Sequence, residues 1–146
     1  EMPTDTAHRT VEIAAPLSTV LDTIRDLEGQ PEWVPEILEA EVLEVYEDDG
    51  LPATARFKAS ATVGTDAYVL SYEHRDDGMD WSMVEGRLQT GQEGRYDLVE
   101  TGPGSTSVSF RLTIHHNLPI PGLLRRRVIK GLVDNTVNGL KKHLEA

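Results

Sequence analysis

The chain has 146 residues, a formal net charge of −11 and no cysteine, with 38% of its residues hydrophobic and 27% charged. That length suits one domain with a single sizeable core, and the lack of thiols excludes disulfides, thiolate metal sites and a cysteine nucleophile. The acidic balance argues against nucleic acid as a partner, because wrapping a phosphate backbone calls for a basic face.

No apolar run approaches the ~20 residues needed to span a bilayer. No positively charged start leads into an apolar core, so no signal peptide is expected and the cytoplasm is the expected address. Residues 1–146 are expected to form one domain, with 1–6 flexible. The charge is uneven: Arg125, Arg126, Arg127, Lys130, Lys141 and Lys142 crowd the end of an otherwise acidic chain.

The first predicted element is a strand in "HRTVEIAAP" (8–16), with Val11 and Ile13 on one face. Pro16 suits a first helical turn. Leu17, Val20, Leu21, Ile24 and Leu27 then recur at helical spacing until Gly29 ends the run. "QPEWVPEI" has room for a further turn or two between its prolines. It also carries Trp33, an indole too large to leave in water.

A train of short alternating segments follows: 37–47, 53–63, 66–75, 79–86, 87–100 and 105–116. Asp48-Asp49-Gly50 and Asp76-Asp77-Gly78 between them are hairpin signals. Short strands at steady spacing predict one antiparallel meander. From 123 to 144 the period changes, placing Val128, Ile129, Leu132, Val133, Val137, Leu140 and Leu144 on one face. A helix of that span would run about 33 Å, enough to lie across a curved sheet. Strand, short helices, six strands and a long helix make an α+β order rather than an alternating βαβ one.

The segment 53–63 carries the most information. One parity reads Ala53, Ala55, Phe57, Ala59, Ala61 and Val63, and the other reads Thr54, Arg56, Lys58, Ser60 and Thr62. The polar set belongs in water. The set facing the helix is mostly alanine, so either a helix packs very close or a volume is kept open. Other inward candidates are large. Tyr68, Leu70, Tyr72 and His74 share a parity, as do Met79, Trp81 and Met83. Tyr96 and Leu98 share another, and so do Val108, Phe110, Leu112, Ile114 and His116. Aromatic, methionine and aliphatic walls with a few polar tips suit a small-molecule pocket. They suit equally a packed core that pairs large with small residues.

"VEIAAPLSTVLDTIRDLEGQPEWVPEILEAEVLE" at the start and "LPIPGLLRRRVIKGLVDNTVNGLKKHLE" at the end resemble the START-like (SRPBCC) superfamily, in its polyketide cyclase/dehydrase and lipid-transport branch. The resemblance implies a helix-grip (Bet v 1-like) fold. In it a seven-stranded antiparallel sheet wraps round a long C-terminal helix, with two short helices after the first strand and a hydrophobic cavity between sheet and helix. Trp33 would then be a lid or wall of that cavity. Its lining would include Phe57, Ala59, Tyr68, Tyr72, Trp81, Met83, Tyr96, Phe110 and Leu112 from the sheet. From the last helix it would include Val128 and Leu132, with Arg125 at the mouth.

Three functions follow as expectations: binding of a hydrophobic small molecule such as a lipid or polyketide, aldol cyclisation and dehydration of a polyketide, or carriage of a lipid or quinone at a membrane. For the second, Tyr72, His74 and His116 are the candidate acid–base groups; the plainer alternative makes them satisfied residues at the ends of the sheet. Membrane contact would use 118–127, where Leu118, Ile120, Leu123 and Leu124 adjoin three arginines, although the acidic remainder opposes it. His115 and His116 point to opposite faces of a strand, so no metal site is expected, and no cofactor. GxSxG and GxxxxGK[ST] are both absent.

Overall fold

The computed structural model describes residues 3–146. Strand β1 (Thr4–Ile13) is followed by helix α1 (Leu17–Arg25) and a 3₁₀ turn (Leu27–Glu32). Six further strands come next: β2 (Ile37–Val45), β3 (Pro52–Ala61), β4 (Gly64–Arg75), β5 (Gly78–Gly86), β6 (Gln89–Gly102) and β7 (Ser105–His116). Helix α2 (Gly122–Glu145) ends the chain. The strands form one antiparallel sheet in the order β1-β7-β6-β5-β4-β3-β2. The first strand therefore closes against the last, and every other pair is a hairpin between sequence neighbours.

Two boundaries differ from the sequence expectation by more than two residues. β1 starts at Thr4 rather than His8, because Thr4, Asp5 and Thr6 pair with His115, Ile114 and Thr113 of β7. Residues 4–6 are thus strand rather than flexible; the part of that expectation concerning residues 1 and 2 falls outside the described residues. The first helix also stops at Arg25 instead of running to Gly29. Asp26 breaks the α geometry, and Leu27 continues as the buried residue of the 3₁₀ turn.

Helix α2 packs mainly on β1 and β7, and its two halves do different things. From its middle onward, Val133, Val137 and Leu140 are fully buried and join Ile13, Val20, Ile24 and Val108 in the core. Each such side chain contributes about 1.5–3 kcal/mol of apolar burial. The N-terminal half stands off from the sheet, with Val128 41% exposed. The sheet also loosens at that end. β5 and β6 pair only from Gly78↔Asp97 to Ser82↔Glu93, while β6 continues along β7 as far as Gln89↔His116. No helix among the described residues is long and apolar enough to cross a membrane.

Candidate functional site

A cavity of about 420 Å³ lies between the sheet and the N-terminal half of α2. Its floor comes from alternate positions of β3, where Phe57, Ala59 and Ala61 face inward, and Arg56 turns out to pair with Glu41. The small side chains at 59 and 61 leave space that nothing else among the described residues fills. Tyr68, Leu70 and Tyr72 of β4 line the next wall, followed by Trp81, Tyr96, Phe110 and Leu112. Four rings form a continuous surface, with Tyr96 stacked on Phe110 at 4.8 Å and Trp81 5.6 Å from Tyr96 and 5.7 Å from Tyr72, while Phe57 and Tyr68 make a second stack at 5.7 Å. Gly94 makes this surface possible. A Cβ there would overlap the Trp81 indole, so only glycine lets that ring lie flat on β6. Arg125, Val128, Ile129, Leu132 and Thr136 form the α2 side.

A chain of polar groups runs along one wall. The Trp81 Nε1–H donates to Gln92 Oε1 (2.9 Å), Gln92 Nε2 donates to Gln89 Oε1 (2.8 Å), and Gln89 Nε2 donates to Asp66 Oδ2 (2.9 Å). Its direction is fixed by its two ends, since an indole only donates and a carboxylate only accepts. Asp66 Oδ1 accepts two more bonds, from the backbone N–H groups of Ala67 (2.9 Å) and Leu88 (2.8 Å). The phenols of Tyr68, Tyr72 and Tyr96 hold their protons firmly. Burial raises all three above the ordinary value of 10.0; at Tyr68 the Asp66 charge adds to this and a hydrogen bond from Gln92 opposes it.

A second polar cluster sits at the mouth. His116 Nδ1 accepts the Leu118 N–H (3.2 Å), so Nε2 carries the proton and donates to Asp5 Oδ2 (2.9 Å). Arg125 Nε lies 3.3 Å from the other oxygen of Asp5. β1, β7 and α2 are thereby tied together at one corner. Both nitrogens of His116 are committed, which leaves no free imidazole edge for a ligand.

Residues 4–145 match the family model described as polyketide cyclase / dehydrase and lipid transport. The chain belongs to this family. A START superfamily protein from Mycobacterium smegmatis shares 26% identity and superposes with a TM-score of 0.88, over 96% of this chain and 97% of that one. A protein from Thermus thermophilus is also 26% identical, with a TM-score of 0.78 over 98% and 97%. The Zhui aromatase/cyclase from Streptomyces sp. R1128 shares the fold at 15% identity and a TM-score of 0.78, over 98% and 94%. No curated protein matches the sequence. The architecture is the START-like helix-grip: a seven-stranded antiparallel sheet, a long C-terminal helix and short helices after the first strand.

Within this family fold, most residues singled out in the sequence come together. Phe57, Ala59, Tyr68, Tyr72, Trp81, Tyr96, Phe110, Leu112, His116, Arg125, Val128 and Leu132 all line the cavity. Three do not. Trp33 is buried in the core, with its carbonyl against Gly139 in the C-terminal half of α2. Neither lid nor wall, it fastens the segment after the 3₁₀ turn to the helix. Met83 pairs with Leu70 beside a register shift, and its thioether folds back over Gly86 instead of reaching the cavity. His74 lies on the inward parity but does not line the cavity, with Nε2 donating to the Pro52 carbonyl (2.7 Å). Its Nδ1 is buried without a hydrogen-bond partner. Burial is the main cause that lowers its pKa, and the Arg25 charge adds to it, opposed by the Pro52 bond and Asp49.

Sequence reasoning missed Asp5, Glu36, Asp66, Gln89 and Gln92, all of which line the cavity. Asp66 had a usable signal, since it stands two residues before Tyr68 on the same parity. Gln92 likewise precedes Tyr96 by four.

Proposed function

We propose that the chain binds one hydrophobic small molecule, of lipid or aromatic character, between the sheet and the N-terminal half of α2. The observation that carries this reading is the 420 Å³ cavity with its aromatic walls, a size typical of small-molecule sites. A ligand burying about 300 Å² of apolar surface would gain about 7 kcal/mol. Immobilisation costs subtract from this, so apolar burial alone gives an affinity weaker than about 10 μM.

The acid–base groups expected of a cyclase weigh less. His74 lies outside the cavity, His116 has no free nitrogen, and the Tyr72 phenol keeps its proton. The aromatase/cyclase among the similar structures supports the fold alone. A membrane-carrier role draws support from exposed Leu123 and Leu124 beside Arg126 and Arg127, and co-sedimentation with anionic liposomes would reveal it.

Titration with Nile red, a neutral hydrophobic dye, tests the main reading. Saturable one-site fluorescence that disappears in Ala59→Phe supports it. Dye binding unchanged by that substitution contradicts it.

A further inference from the structure

The polar groups inside the cavity are unequal in number and in kind. Carboxylates of Asp5, Glu36 and Asp66 line it, against the single guanidinium of Arg125 among the described residues. Asp5 accepts the His116 N–H and lies 3.3 Å from the Arg125 Nε, which makes no hydrogen bond. The other two carboxylates have no cation partner within 4.0 Å among the described residues, and each has acceptor capacity left over. Glu36 Oε2 accepts from Asn135 (2.8 Å), but Oε1 is buried with no hydrogen-bond partner. Asp66 is 3% exposed. Two N–H groups fill its Oδ1, while Oδ2 takes only the Gln89 amide and keeps a second lone pair.

The direction of the amide chain adds to this surplus. Every donor from Trp81 through Gln92 and Gln89 points towards Asp66. The hydrogen bonds of this indole–amide chain therefore all stabilise one protein carboxylate. A ligand carboxylate brought alongside would meet like charge in a low-dielectric site, where repulsion is poorly screened. A ligand hydroxyl would meet an acceptor that lacks its last hydrogen bond.

We infer that the cavity selects hydrophobic ligands whose polar end donates a hydrogen bond, as a hydroxyl or phenol does, and rejects carboxylate-headed ones, with Asp66 as the specificity-determining residue. This rests on the cavity being the ligand site. The raised pKa of Tyr68, held up by burial and by Asp66, fits the same picture of a site that disfavours further negative charge.

Three probes of one shape test it by calorimetry on the unmodified protein: 2-naphthol, 2-methoxynaphthalene and 2-naphthoate. The naphthol should bind about tenfold more tightly than its methyl ether, the size of one hydrogen bond to a charged acceptor. The naphthoate should bind more weakly than either. In Asp66→Asn, with folding checked by circular dichroism, the naphthol-to-ether ratio should fall towards one and naphthoate binding should rise. Equal binding of naphthol and ether to the unmodified protein, or a preference for naphthoate, overturns the selectivity while leaving the cavity as a binding site. Failure of all three probes to bind overturns both.

Discussion

The carbonyl of Trp33 rests on α2 at Gly139, at a point where any Cβ would overlap it. This contact sets the distance between the 3₁₀ segment and the helix, and it keeps the C-terminal half of α2 tight while the N-terminal half stands open. Alanine is the better helix former by about 1 kcal/mol. Even so, Gly139→Ala should destabilise the protein by about 1–3 kcal/mol, because the obstruction is backbone and cannot rotate away. Urea denaturation measures this, and a stabilised variant would show that the two segments are not in firm contact.

Two alanines on the inward parity of β3 should respond in opposite ways. Ala55 is fully buried and does not line the cavity, whereas Ala59 does. Ala55→Phe should cost about 3 kcal/mol or more by overpacking. Ala59→Phe should stay within about 1 kcal/mol of the parent, since the new ring enters existing space, and should abolish ligand binding. Thermal melts of both variants, followed by dye titration of Ala59→Phe, check the pair.

The two tryptophans should separate cleanly as reporters. Trp81 lies in the aromatic wall, whereas Trp33 lies in the core against the C-terminal half of α2. Ligand-induced change in tryptophan fluorescence should survive Trp33→Phe and vanish in Trp81→Phe. The reverse result would place the ligand beside the C-terminal half of α2 rather than in the cavity.

His74 gives the fold a pH dependence of definite sign. Its folded pKa lies below the ordinary 6.5, mainly through burial, so between the two values the unfolded chain binds more protons than the folded one. Stability from this residue is complete above 6.5 and is lost as pH falls through that window. Protonation would also create an Nδ1–H donor where no acceptor stands. Melting temperature should therefore decline on acidification below pH 6.5, and His74→Gln should flatten that limb. Asp97, held low chiefly by its Arg95 hydrogen bond, loses its contribution only in the more acidic carboxylate range.

Periodicity made the fold and the cavity's apolar walls legible. The alanine parity of β3 and the stripe of α2 are statements about which face a side chain takes, and face is what a period of 2 or 3.6 encodes. The polar part was hidden for the opposite reason. Asp66 follows a hairpin and Gln92 sits among glycines, so both look like turn or surface residues until Ala59↔Asp66 and Gln92↔Ile114 pairing brings them inside. Asp5 lies in a segment with no periodic signal, and pairing with β7 alone makes it strand. Trp33 had an unmistakable need for burial, but nothing local says on which side of a distant helix that burial occurs.

The most direct test of the central claim is isotope-filtered NMR on methyl-labelled protein saturated with 2-naphthol. Cross-peaks from the ligand to the methyls of Leu112, Ile129 and Leu132, with none to Val137 or Leu140, are the predicted result. Cross-peaks confined to the outward-facing Leu38, Leu43 and Val45, or none at all, would contradict a ligand held between the sheet and the first half of α2.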